Sequence, residues 1–99
     1  MTVQDLLKEA AGGLDPIDAR ATGDEVLWQR EGRAFAVSGT GRAEFRLPPV
    51  MGRAALGTPG TSASERGTEW VVFAPPDLDR TAVDRVVAWF AAAWRHAAE

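Results

Sequence analysis

The sequence predicts an α+β fold: an antiparallel sheet of four or more strands with a long C-terminal helix packed on one face. Three observations carry this expectation. Residues 79–99 place Val83, Val86, Val87, Phe90, Trp94 and Ala97 within one stripe about 100° wide at helical periodicity. Residues 42–47 alternate, with Ala43, Phe45 and Leu47 facing in and Arg42, Glu44 and Arg46 facing water. That period-2 split belongs to an antiparallel sheet with one solvated face. The segments before it are short, β-like and separated by tight turns at Glu31-Gly32 and Gly39-Thr40-Gly41.

Taken in order, Thr2 is positioned to cap a first helix, with Asp5 in the reciprocal place of a capping box. Val3, Leu6, Leu7 and Ala10 follow at the spacing of one helical face. Gly12-Gly13 ends the helix, since glycine reaches the left-handed conformation without strain. Residues 14–24 read as a polar connection, with Ile17 pinned to the core. Strands are expected over 25–30 and 33–38. In the second, Arg33, Phe35 and Val37 share one face and Ala34, Ala36 and Ser38 the other. After the third strand, Pro48-Pro49 stops the ladder and suits a first helical turn, so Val50–Leu56 forms a short helix. Residues 57–68 lack periodicity and read as a mobile loop or lid. Residues 69–74 form a strand apolar on both faces, hence central or doubly covered. Asp77, Asp79 and Thr81 compete to cap the last helix. The order is α-β-β-β-α-β-α, in one domain over residues 1–99.

Composition removes several function classes. The chain has no cysteine and a single histidine, His96, which leaves no thiol catalysis, thiolate metal site or His-rich metal cluster. There is no apolar run of membrane-spanning length and no signal-peptide pattern at the start, so a cytoplasmic protein is expected. Net charge is −3, which disfavours nucleic acid as a partner. The charge is unevenly spread: −4 over residues 1–31, +3 over 32–66 and −2 over 67–99.

No catalytic motif stands out, and no cofactor or metal site is expected. Gly39-Thr40-Gly41 lacks the third glycine of a dinucleotide fingerprint, and residues 57–62 lack the Gly-Lys-Ser/Thr ending of a phosphate loop. Ser38, Ser62 and Ser64 have no nucleophile-elbow context. Asp15, Asp18, Asp24 and Glu25 lack the register of a calcium loop. Arg42, Arg46, Arg53 and Arg66 are candidate phosphate contacts, weighed against a solubilising strand surface of Arg–Glu pairs. Trp89 lies off the main stripe of the last helix, near Ala82, Ala93 and His96. Trp89, Ala93 and His96 therefore form a candidate interface, for a homodimer or around a pocket. The alternative is a widened buried stripe.

Four strings carry a resemblance. They are Gly32-Arg33-Ala34-Phe35-Ala36, Phe45-Arg46-Leu47-Pro48-Pro49, Glu69-Trp70-Val71-Val72-Phe73 and Ala92-Ala93-Trp94-Arg95. Together they resemble the small bacterial YjbR/MmcQ-like proteins and the related short "luciferase-family" domains, over about residues 25–97. Thr68-Glu69 stands where a glycine is usual, Trp94 where tyrosine is common, and the lysine-bearing hairpin is missing. The resemblance implies an α+β fold and a suggested DNA-binding role, and it carries no catalytic residue. The resulting expectation is a non-enzymatic binding or interaction module. The alternatives are nucleic-acid binding through the arginine-bearing middle segment, and a small-molecule protein or enzyme with residues 57–68 as a lid.

Overall fold

The computed structural model describes residues 1–99. Three helices and six strands follow one another as α1 (Val3–Ala11), β1 (Asp18–Thr22), β2 (Glu25–Arg30), β3 (Arg33–Gly39), β4 (Arg42–Arg46), α2 (Pro49–Leu56), β5 (Thr61–Ala63), β6 (Trp70–Phe73) and α3 (Arg80–His96). The sheet is antiparallel throughout, in spatial order β1-β2-β3-β4-β6-β5. The fold is α+β, and the predicted element order is recovered with two strands added. Both additions, β1 and β5, are the sheet's edges. Every residue of β1 is exposed, so no hydrophobic alternation marks it. β5 is three residues long and occupies part of the segment expected to be a loop.

Local chemistry starts the helices. The Thr2 hydroxyl accepts the Asp5 N–H at 3.1 Å, and the Asp5 carboxylate accepts the Thr2 N–H at 3.0 Å. The box closes even with the shorter acid. Gly12 ends α1 in a right-handed conformation, φ −61°, rather than the left-handed one expected. Among the three candidates, Asp79 caps α3, its carboxylate accepting the Ala82 N–H at 2.8 Å.

One sheet face buries the core. Phe45, Ala43, Val71 and Phe73 meet Val3 and Leu7 of α1 and Val86 and Phe90 of α3 in a single cluster, and Ala55 of α2 joins it. Phe90 is the hub: its ring lies 5.2 Å from Trp28 and 5.4 Å from Phe35. The strict alternation expected in β3 fails at this point. Trp28 pairs with Ala36, but Gln29 pairs with Ala34, leaving Phe35 as an extra residue. Such a bulge lets two successive side chains serve one face. Phe35 and Ala36 are accordingly both fully buried. Trp28 also closes a polar contact within the core, its indole N–H donating to the Ser38 hydroxyl at 3.2 Å.

The buried stripe of α3 is rotated from the expected one. Ala82, Val86, Phe90, Ala93 and Ala97 are buried, whereas Val87 is 40% exposed. Ala92, expected on the far side, is buried as well. Trp89 packs its ring edge-on against Phe73 at 5.1 Å and Phe45 at 6.4 Å. The helix has turned its tryptophan flank to the sheet, because two large aromatic side chains await it there. No helix is long and apolar enough to cross a membrane.

Candidate binding face

The opposite face of the sheet carries no helix. The β4 register puts Glu44 on that face, beside Val37 of β3 and Val72 of β6. A carboxylate on a solvent-facing strand is expected to be wet, yet Glu44 is only 4% exposed. The cover comes from the β5–β6 connection, which folds back over the face. Ser64 N–H donates to the Trp70 carbonyl and Trp70 N–H to the Gly67 carbonyl, so the six-residue connection is closed at its base and ends in a β-turn. It delivers Ser64 and Arg66 onto Glu44.

Three donors hold that carboxylate. The Ser64 hydroxyl donates to Oε1 at 2.6 Å, Arg66 Nε to Oε2 at 3.0 Å, and Arg42 Nη2 to Oε2 at 3.1 Å. Burial pushes the Glu44 carboxyl up. The hydrogen bonds from Ser64, Arg66 and Arg42, with the Arg66 charge, outweigh it and leave the pKa below its ordinary value. Arg66 also lies 3.9 Å from Glu25 at the start of β2 and 5.9 Å from the centre of the Trp70 ring. Beside this network opens a concavity of about 490 Å³, bordered by Arg42, Ser62, Glu65, Arg66 and Val72.

The four candidate phosphate-contacting arginines do not converge. Arg42 and Arg66 meet at Glu44. Arg46 pairs with Glu69 at 3.4 Å, and Arg53 borders a separate cavity of about 200 Å³ beside α2. The three residues of the candidate interface, Trp89, Ala93 and His96, differ in how far they are covered within the chain. Ala93 is fully buried within the chain, and Trp89 is engaged by Phe45 and Phe73. Ala93 therefore has no exposed surface, while Trp89 keeps part of its side chain exposed. His96 keeps 12% of its side chain exposed, and its Nε2 lies 2.8 Å from Glu69. Glu69 is thereby held below its ordinary pKa, chiefly by the His96 hydrogen bond and further by Arg46.

Other candidates find structural places. Ser38 is occupied by Trp28, and Gly39-Thr40-Gly41 is a hairpin turn with Gly41 at φ +70°. No group of three or more His, Asp or Glu side chains is arranged to hold a metal ion. The segment read as a lid divides: residues 61–63 pair at the sheet edge, and Ser64 and Arg66 cover Glu44. The alternation of β4 predicts Glu44 on the water-facing side, between two arginines and open to Arg–Glu pairing, and gives no sign of its burial. Its burial depends on a turn some twenty residues further along, which no local pattern reveals.

No protein-family model and no curated protein sequence matches the chain. The fold is similar to the crystal structure of a protein from Pseudomonas syringae, a Northeast Structural Genomics Consortium target. The TM-score is 0.70 at 10% identity, covering 98% of this chain and 99% of that one. At that identity the likeness concerns the fold alone.

Proposed function

We propose that this protein is a non-enzymatic binding module whose recognition surface is the helix-free sheet face around Glu44. The observation that carries the reading is the buried, fully paired Glu44 carboxylate, which fixes Arg42 and Arg66 beside an open concavity. Orienting two guanidinium groups in advance reduces the entropy lost when a ligand is bound. The same carboxylate argues against catalysis. A general acid or base works best with a pKa near the operating pH, whereas the surroundings of Glu44 favour its ionised form.

Nucleic-acid binding has weaker support. Only Arg42 and Arg66 meet at one point, Arg46 of the same strand face pairs with Glu69, and all three are partly neutralised by glutamates. The relationship to YjbR/MmcQ-like proteins belongs to the same proposal. The strings that resemble that family lie on β3, β4 with the start of α2, β6 and α3. A cytoplasmic setting fits a chain without cysteine.

A thermal-shift screen against amino acids, organic acids, sugars and nucleotides tests the reading. At least one compound should raise the Tm of the wild type and not that of Arg66→Gln. If nothing raises it, or if the rise survives Arg66→Gln, this face is not the binding surface.

A further inference from the structure

We infer that the concavity beside Glu44 is a site for a small zwitterion, with the carboxylate held between Arg42 and Arg66 and the ammonium directed to Glu65. This rests on the binding-face reading above and gives that face a ligand class. The first support is donor geometry. Each guanidinium has five N–H donors in a planar fork, and each spends one on the same oxygen, Glu44 Oε2, at 3.1 and 3.0 Å. The two forks are therefore tethered at one point and retain unspent donors. Paired guanidinium forks match the two oxygens of a carboxylate. The remaining solvent exposure of these side chains, 48% for Arg42 and 39% for Arg66, leaves the forks reachable.

The second support is charge balance. Arg42 and Arg66 supply two cations, and Glu25, Glu44 and Glu65 supply three anions. A ligand with net negative charge would bring uncompensated charge to the site. A neutral molecule carrying both signs satisfies the arginines and Glu65 together, which is how mixed-charge surfaces discriminate among partners. The third support is the rest of the lining. Ser62 offers a hydroxyl, and Ala63 and Val72 offer a small apolar wall suited to a short aliphatic side chain. The volume, about 490 Å³, lies within the usual range for small-molecule sites.

The test is an NMR titration of the full chain at low salt, following arginine Nε and backbone amide signals. The probes are L-leucine, N-acetyl-L-leucine, L-leucinamide, inorganic phosphate and a short single-stranded DNA. L-Leucine should shift the Arg42 and Arg66 Nε signals with saturation. Leucinamide, which lacks the carboxylate, should bind at least tenfold more weakly, and N-acetyl-leucine, which lacks the ammonium, several-fold more weakly. Arg42→Gln should lose at least tenfold in affinity, while Arg53→Gln, on α2 beside a separate cavity, should not change it. Glu65→Gln should remove the preference for L-leucine over its N-acetyl form. Equal binding of the acid and the amide would overturn the zwitterion assignment. Shifts at these arginines from phosphate or DNA alone would overturn it too, and would leave the binding face standing. Silence from every probe would count against both.

Discussion

Glu44 and Glu69 are two carboxylates whose partners make single-residue stability depend on pH. Glu44 is buried with three donors, and its pKa is lowered from the ordinary 4.5. A lowered folded-state pKa means the ionised form favours folding. That contribution is complete above pH 4.5 and is lost as pH falls through the folded value. Glu44→Gln should cost roughly 1.5–3 kcal/mol at pH 7, the range for hydrogen bonds to a charged group. Urea denaturation measures it, and the gap between variant and wild type should narrow in acid. A gap that stays constant from pH 7 to pH 3 would show that the charge contributes nothing. Glu69 obeys the same sign, but its main partner is His96. In His96→Ala the Glu69 carboxyl should titrate closer to its ordinary value, as followed by carbon-13 NMR. Arg46→Ala should move it less. An unmoved Glu69 would mean that the 2.8 Å contact is not maintained in solution.

Helices α2 and α3 give contrasting predictions at the scale of elements. Gly52 sits within α2, and a Cβ placed on it would meet nothing within 4 Å. Gly52→Ala should therefore stabilise the protein by about 0.4–1 kcal/mol, by restricting the unfolded chain and favouring the helix. A loss of stability in thermal unfolding would mean that α2 needs the glycine for a reason its backbone does not reveal. In α3, Trp89 sits edge-on to Phe45 and Phe73, between helix and sheet. Trp89→Ala should cost about 3 kcal/mol, the lower end for large aromatic truncations, because the side chain is half-buried. Denaturant midpoints measure it, and a Trp89→Ala protein as stable as the wild type would refute the packing. The rotation of α3 behind this prediction follows from its partner. Val87 could have been buried on periodicity alone, but the sheet offers aromatic rings at the Trp89 azimuth.

For the whole molecule, stability is distributed unevenly across the sheet. β3 and β4 lie between neighbours and beneath α1 and α3, whereas β1 is exposed along its length and pairs on one side only. Amide exchange should be fastest in β1 among the strands of the main ladder and slowest in β3 and β4, since local opening is easiest where little apolar surface is lost. Comparable protection in β1 would point to cover on its free edge. α3 and the residues just after it are tied to residues 16–33 by long-range contacts. Arg30 stacks on Trp94 at 3.7 Å, the Trp94 indole donates to the Pro16 carbonyl at 2.7 Å, and Arg33 donates to the Glu99 carbonyl. The last helix thus fastens the β1–β2 side of the molecule as well as covering its core.

The amino-acid sequence by itself determined the α+β class, the three helices, four of the six strands and the inward face of β4. These are set by local periodicity, by caps such as Thr2 with Asp5, and by breakers such as Pro48-Pro49. It also singled out Arg42 and Arg66, though with Arg46 and Arg53 beside them. Only the tertiary structure decided the rest. The edge strands β1 and β5 have no burial pattern, because little packs on them. The bulge at Phe35 is a property of a strand pair, not of one strand. The orientation of α3, which buries Ala93 and engages Trp89, is chosen by the aromatic rings opposite. The Glu44 site requires Ser64 and Arg66 to return over β4, a contact between distant residues. Periodicity reports how a segment meets a generic apolar surface, whereas these features depend on which side chains that surface presents.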